Sequence, residues 1–177
     1  LLLSSFTSDN VENEKNKLIL ELMKSSLKGY HYEPHHFDNN FSEQVFKIYM
    51  EKLDYNKRFF LKDDIQKFSE YKYKIDDAVI DEDFNFFQLT KDIYIERVKE
   101  INKYIEFALK NPFDFTVDEQ LEIDAEKRAY ALDKKSMKEF WRKSLKYSVM
   151  TKLADKLKIQ EDALKDNDST YTVKSYE

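Results

Sequence analysis

An all-α fold, a bundle of about five helices that includes one long central helix, is predicted by three features of the 177-residue sequence. Chain-reversing residues are nearly absent: one glycine (Gly29) and two prolines (Pro34, Pro112) stand far below the roughly 7% and 5% of average usage. Apolar residues recur at 3-4 spacing over most of the length, the period that places side chains on one helix face. Asp, Asn or Ser repeatedly stands three positions ahead of Glu, the arrangement that satisfies free amides at a helix start. With 41% hydrophobic, 15% aromatic and 37% charged residues, the composition supplies a core and a solvated face. A single helical domain over residues 1–177 is expected, because the chain is long enough to bury one sizeable core.

The first helix is expected from Asp9 to Lys28, with Asp9 and Glu12 as its capping pair and Val11, Leu18, Ile19, Leu22, Met23 and Leu27 apolar. Gly29 stops it, and Pro34 turns the link from Tyr30 to His36 because it lacks an amide hydrogen. Asn40 with Glu43 reads as the next cap, followed by Phe41, Val45, Ile48, Tyr49 and Leu53 on one face. A third helix is expected through Leu61, Ile65, Phe68, Lys72, Ile75 and Val79 to about Ile80, with Asp63 and Asp64 in the first turn where the helix dipole favours acids.

The longest helix is expected from Asp83 to Asn111, about 40 Å at 1.5 Å per residue. Positions 84, 87, 91, 94, 98, 101, 105 and 108 are apolar there except Lys91, and Phe86, Leu89, Ile93, Tyr104 and Phe107 widen the stripe. Pro112 ends it. From 113 to 134 no clean helical period is present, so an extended connector is expected; Glu119 to Asp124 alternates like a short strand, and Thr116 with Glu119 fits a helical cap equally well. Ser136 with Glu139 reads as the cap of the last long helix, along Phe140, Trp141, Leu145, Val149 or Tyr147, Leu153 and Leu157. A polar loop is expected beyond Asp162, an ending that suits a piece of a larger protein.

Several chemistries lose their footing in this composition. One glycine leaves no Gly-rich phosphate cradle or dinucleotide turn, and makes an oxyanion hole for a Ser-Lys nucleophile implausible. A net charge of −5 offers no concentrated basic footprint for nucleic acid. Zero cysteines exclude disulfides, thiolate zinc sites and thiol nucleophiles. The start, Leu1 to Phe6, is too short to span a bilayer; it fits the trailing end of a signal peptide or a docked terminus. His31, His35 and His36 with Glu33 have the donors for a metal, but Pro34 among them and the lack of a second cluster favour a surface turn. Asp76, Asp77 and Asp81 match the spacing by which helical terpenoid enzymes hold magnesium, yet no second cluster accompanies them; they are expected to close one helix and open the next, with Asp83 as an N-cap. The adjacent pairs Asp63-Asp64 and Glu161-Asp162 point to different sides of a helix. No catalytic residue, cofactor or metal ligand is expected in this chain.

The run from Phe41 to Leu61 (FSEQVFKIYMEKLDYNKRFFL), with Asp64-Ile65 and Phe68 after it, resembles the N-terminal domain of tail-specific proteases, the long periplasmic C-terminal processing peptidases. Tyr30-His31-Tyr32 upstream, Asn111 to Thr116 (NPFDFT) after the long helix, and Phe140 to Lys143 (FWRK) follow in the same order, so the resemblance covers about residues 16–158. It rests on Leu53, Asp54, Tyr55, Phe60, Leu61, Asp64, Ile65, Phe68, Pro112, Asp114, Phe115 and Trp141. What it implies is a helical domain preceding a PDZ domain and a Ser-Lys dyad protease domain, both beyond the end of this chain, in an exported enzyme acting on proteins with apolar C-termini. The partners implied are protein substrates, the enzyme's own PDZ and protease domains, and an adaptor protein, with no nucleic acid and no membrane span. No catalytic residue is carried over. Leu53, Phe60, Leu61, Ile65 and Phe68 fit a buried seam between the second and third helices, with Asp54 near a helix end and Asp64 near a helix start.

Overall fold

A computed structural model describes residues 14–26, 36–166 and 172–175. Six helices lie among them: α1 (residues 14–26), α2 (Asn39–Asp54), α3 (Lys62–Ser69), α4 (Ile75–Asp81), α5 (Asn85–Leu109) and α6 (Lys134–Lys165). No strand forms among the described residues, and the one ladder-like contact is an isolated parallel bridge between Leu61 and Ala131. The fold is therefore all-α, as the periodicity predicts. The expected first-helix cap at Asp9, the Tyr30–Glu33 link and the Leu1–Phe6 start lie outside the described residues. The chain divides into two compact units, residues 1–55 with 63–95 and residues 56–62 with 96–177.

The first unit is organised around the ring of Phe86. Phe46 and Tyr71 stack on it at 5.7 and 5.3 Å between centroids, Tyr49 lies tilted at 5.3 Å and Phe68 edge-on at 6.4 Å. Offset and edge-on arrangements satisfy the quadrupoles of all five rings while burying a large apolar area. Beside them the Tyr49 hydroxyl and Thr90 Oγ1 are 2.6 Å apart, and Thr90 is fully buried. The buried face of α5 thus runs through Phe86, Thr90 and Ile93, while Phe87 is half exposed and Lys91 exposed. That corrects the stripe predicted through positions 87 and 91. A threonine whose hydroxyl is paired tolerates burial, and apolar periodicity does not register it.

The single third helix expected to Ile80 is broken. α3 ends at Ser69, whose hydroxyl donates to the Ile65 carbonyl at 2.7 Å, and residues 70–74 form tight turns through Tyr71 N–H to Phe68 O (3.0 Å) and Lys74 N–H to Tyr71 O (3.0 Å). Phe68, at the end of α3, and Tyr71, in the turns that follow, both pack against Phe86. α2 is capped by Asp38 rather than Asn40: the Asp38 carboxylate accepts from the Phe41 amide at 2.9 Å. Asp83 serves the start of α5, accepting from the Asn85 amide at 2.7 Å. With glycine so scarce, Glu82 closes α4 in the left-handed region at φ 58° and Lys57 turns the chain at φ 49°.

α2 and α4 are joined by a buried polar seam. Ser42 Oγ donates to Asp76 Oδ1 at 2.5 Å and accepts from the Asp76 amide at 2.8 Å, with Ser42 wholly buried. Ser42→Ala removes a partner from two groups with little water to replace it, so unfolding free energy falls by about 1–3 kcal/mol. Urea unfolding of the variant checks this; an unchanged midpoint would show the seam to be solvated.

In the second unit, Leu61, Ile101 and Met137 form the core, with Phe59, Tyr104, Ile105, Ala131, Phe140 and Trp141 packed around them. α6 begins with a capping box in which the Asp133 carboxylate accepts from Ser136 N–H at 2.7 Å and Ser136 Oγ accepts from Asp133 N–H at 3.0 Å. Ser136 is therefore the third residue of the helix and not its cap, because a carboxylate three positions earlier is the stronger acceptor. Residues 110–133 are irregular, as predicted, and neither the strand nor the helical turn forms there.

Candidate functional site

The irregular connector has no helix or sheet to occupy its backbone carbonyls, and cationic side chains take that place. Lys57 Nζ donates to Arg128 O at 2.6 Å, the Arg128 guanidinium to the carbonyls of Asn56 and Glu122, and Lys146 Nζ to Val117 O at 2.9 Å. Lys62 N–H donates to Ala131 O at 2.8 Å, closing the bridge. Asp114 turns the start of the connector by accepting from both Thr116 N–H (2.9 Å) and Thr116 Oγ1 (2.6 Å).

At the centre is Glu119, held by Arg142 and by Lys146 Nζ at 2.7 Å, both from the first half of α6. The Arg142 guanidinium, and after it the Lys146 ammonium, lower the Glu119 carboxyl to about 2. Arg142 also pairs with Glu139 at 2.6 Å, which raises the guanidinium and lowers Glu139. A second cluster joins Glu100 to Arg97 (2.8 Å) and Lys134; burial pushes Glu100 up, but the two cations outweigh it and hold the carboxyl below its ordinary value. Both clusters pair every acid with a cation, an arrangement that fixes chain positions and leaves no carboxylate poised to exchange protons near neutral pH.

These clusters were not singled out from the sequence. The available signal is Lys146, which follows Arg142 at i, i+4 on one face of α6, two cations placed so that they call for an acid between them. Which of the connector's acids would meet it follows only from the fold.

The residues carrying the family resemblance separate into several settings. Phe60, Leu61 and Phe68 are buried, Leu53 and Ile65 half-buried, and Tyr55 exposed. Leu61 and Trp141 come together in the second unit's core, where Trp141 Nε1 donates to Arg58 O at 3.0 Å and the Arg58 guanidinium lies 4.9 Å from its ring centroid. Phe68 faces Phe86 in the first unit. Asp54, the last residue of α2, and Asp64, in the first turn of α3, are both buried carboxylates. Pro112 and Asp114 are exposed and Phe115 is 46% exposed. Asp76 is committed to Ser42, and no cluster able to hold a metal occurs among the described residues. His31 and His35 lie outside them and His36 is exposed.

Residues 23–177 match the family described as the tail specific protease N-terminal domain. The chain belongs to that family. A curated tail-specific protease of Haemophilus influenzae is 28% identical over 146 residues, covering 81% of this chain and 21% of the relative. The chain thus spans about a fifth of that relative's length. The matched domain takes in the aromatic hub, the Leu61 core and the pinned connector. Among the described residues no helix is long and apolar enough to cross a membrane.

Proposed function

We propose that this chain is the non-catalytic N-terminal scaffold of a periplasmic tail-specific serine protease, and that it docks substrate or adaptor proteins for a Ser-Lys dyad located in other domains. Family membership carries the reading, and the site chemistry supports it: the Glu119 cluster is consumed in holding the connector, and the described surface also carries an open groove lined largely by apolar side chains. Binding of protein partners by such surfaces needs exposed apolar area beside polar residues.

The test compares the isolated chain, the parent protein and the parent lacking residues 23–177, using an unfolded reporter with an apolar C-terminus. The chain alone cleaves nothing, the parent degrades the reporter, and the deletion loses most of that degradation while still hydrolysing a short peptide. Cleavage by the pure chain, or undiminished degradation by the deleted parent, overturns the proposal. A stand-alone helical interaction module is the second reading, favoured by the exposure of Leu18, Leu22, Leu157 and Leu164. A parent polypeptide without PDZ or protease segments would select it.

A further inference from the structure

α6 is covered by the second unit as far as Lys146; from Tyr147 to Leu164 its apolar side chains stand largely in solvent, with Val149 39% and Leu157 48% exposed. Val149 and Leu153 form one wall of an open groove of about 760 Å³, and Leu109, Pro112, Phe113 and Phe115 form the other. The Phe113 and Phe115 rings lie tilted 6.4 Å apart along it. The charged residues lining the groove are Lys110, Lys152 and Lys156, with no carboxylate among them. Apolar walls call for apolar side chains, and the ammonium groups of Lys110 and Lys152 at the edge call for carboxylates.

Val149, Leu153 and Leu157 follow four-residue steps, the ridge that interdigitates with a second helix, and a concave groove takes a rod where a bilayer would need a protruding edge. One turn further, the Lys174 amide donates to Gln160 Oε1 at 3.0 Å, so the chain itself lies alongside α6 there and bounds the site. We propose that this groove docks an acidic amphipathic helix of a partner protein, its apolar stripe on Phe113, Phe115, Val149 and Leu153 and its flanking carboxylates on Lys110 and Lys152. The inference deepens the docking role proposed above and rests on it.

The test titrates the 177-residue chain into a fluorescein-labelled, lactam-bridged helical peptide with leucines at i, i+4 and i+7 flanked by glutamates, read by anisotropy. A matched peptide carries lysines in place of the glutamates. The glutamate peptide binds the natural chain and the lysine peptide binds more weakly by about tenfold or more; Lys110→Glu with Lys152→Glu inverts that preference. Both lysines are exposed, so the helical circular dichroism of the variant stays unchanged. Phe115→Ala weakens both peptides alike. Equal affinity for the two peptides, no binding of either, or preferential binding to phosphatidylglycerol vesicles overturns the proposal. If the groove fails while the parent lacking residues 23–177 still loses degradation, this site alone is lost and the docking role stands.

Discussion

Phe68→Ala lowers the unfolding free energy by about 3–5 kcal/mol, the cost of deleting a fully enclosed phenyl ring and leaving its cavity. Phe68 is completely buried in α3 and presents its edge to Phe86, on which Phe46, Tyr49 and Tyr71 also converge. The cavity therefore opens beside a hub that several elements share, and close-packed rings have little freedom to collapse into it. For a chain of this size each kcal/mol moves the thermal midpoint by roughly 2–4 °C, so a drop of about 10 °C is expected. Phe87→Ala is the internal comparison: that ring neighbours Phe86 on α5 in the same unit but is half exposed, and its loss costs under about 1.5 kcal/mol. Thermal unfolding followed by circular dichroism separates the two variants. Equal shifts would mean that the aromatic hub is not the core of the first unit.

The contrast between those phenylalanines also marks how far the sequence can be read. Long helices, the stop at Pro112 and the irregular connector follow from local rules, since spacing, a missing amide hydrogen and capping chemistry act on near neighbours. The placement of Phe86 inward and Phe87 outward does not, because both suit an apolar stripe and only the rings of α2 and α3 choose between them. The same holds for the break after Ser69: the residues from Glu70 to Lys74 include no glycine or proline, so nothing local announces it. Buried Thr90 and Arg97 escape a hydrophobic count altogether, although each is on the buried face of α5 and Arg97 pairs with Glu100 at 2.8 Å. Caps were legible as a class and displaced in register, Asp38 and Asp133 each standing ahead of the residue predicted, because several polar residues cluster at each start. Of the groove proposed to dock a partner, the sequence discloses Phe115 and Leu153 as apolar but not that they line it together, which depends on where the connector returns to α6.

That return is acid-labile. Glu119 has an ordinary carboxyl value of 4.5 when unfolded and about 2 when held by Arg142 and Lys146, so between those pH values the unfolded form binds more protons than the folded one. Its stabilising contribution is complete above pH 4.5 and is lost as the pH falls to about 2. Glu139, lowered by the same guanidinium, and Asp114, lowered by its bonds to Thr116, act in the same direction. The connector from Phe113 to Leu121 is therefore expected to come away from α6 as the acid range is entered. Pepsin, active across that range and selective for residues such as Phe115 and Leu121, reports the release as nicking. The natural chain resists at pH 4.5 and is cut increasingly towards pH 2, whereas Glu119→Gln, which keeps the shape but never carries the charge, is already cut at pH 4.5. The acceleration there is on the order of tenfold, below the limit set by the full displacement because Arg142 is partly exposed and solvent screens the pair. Identical nicking profiles for the two proteins from pH 4.5 to 2 would show that packing of Val117 and Leu121, and not the Glu119 cluster, keeps the connector in place.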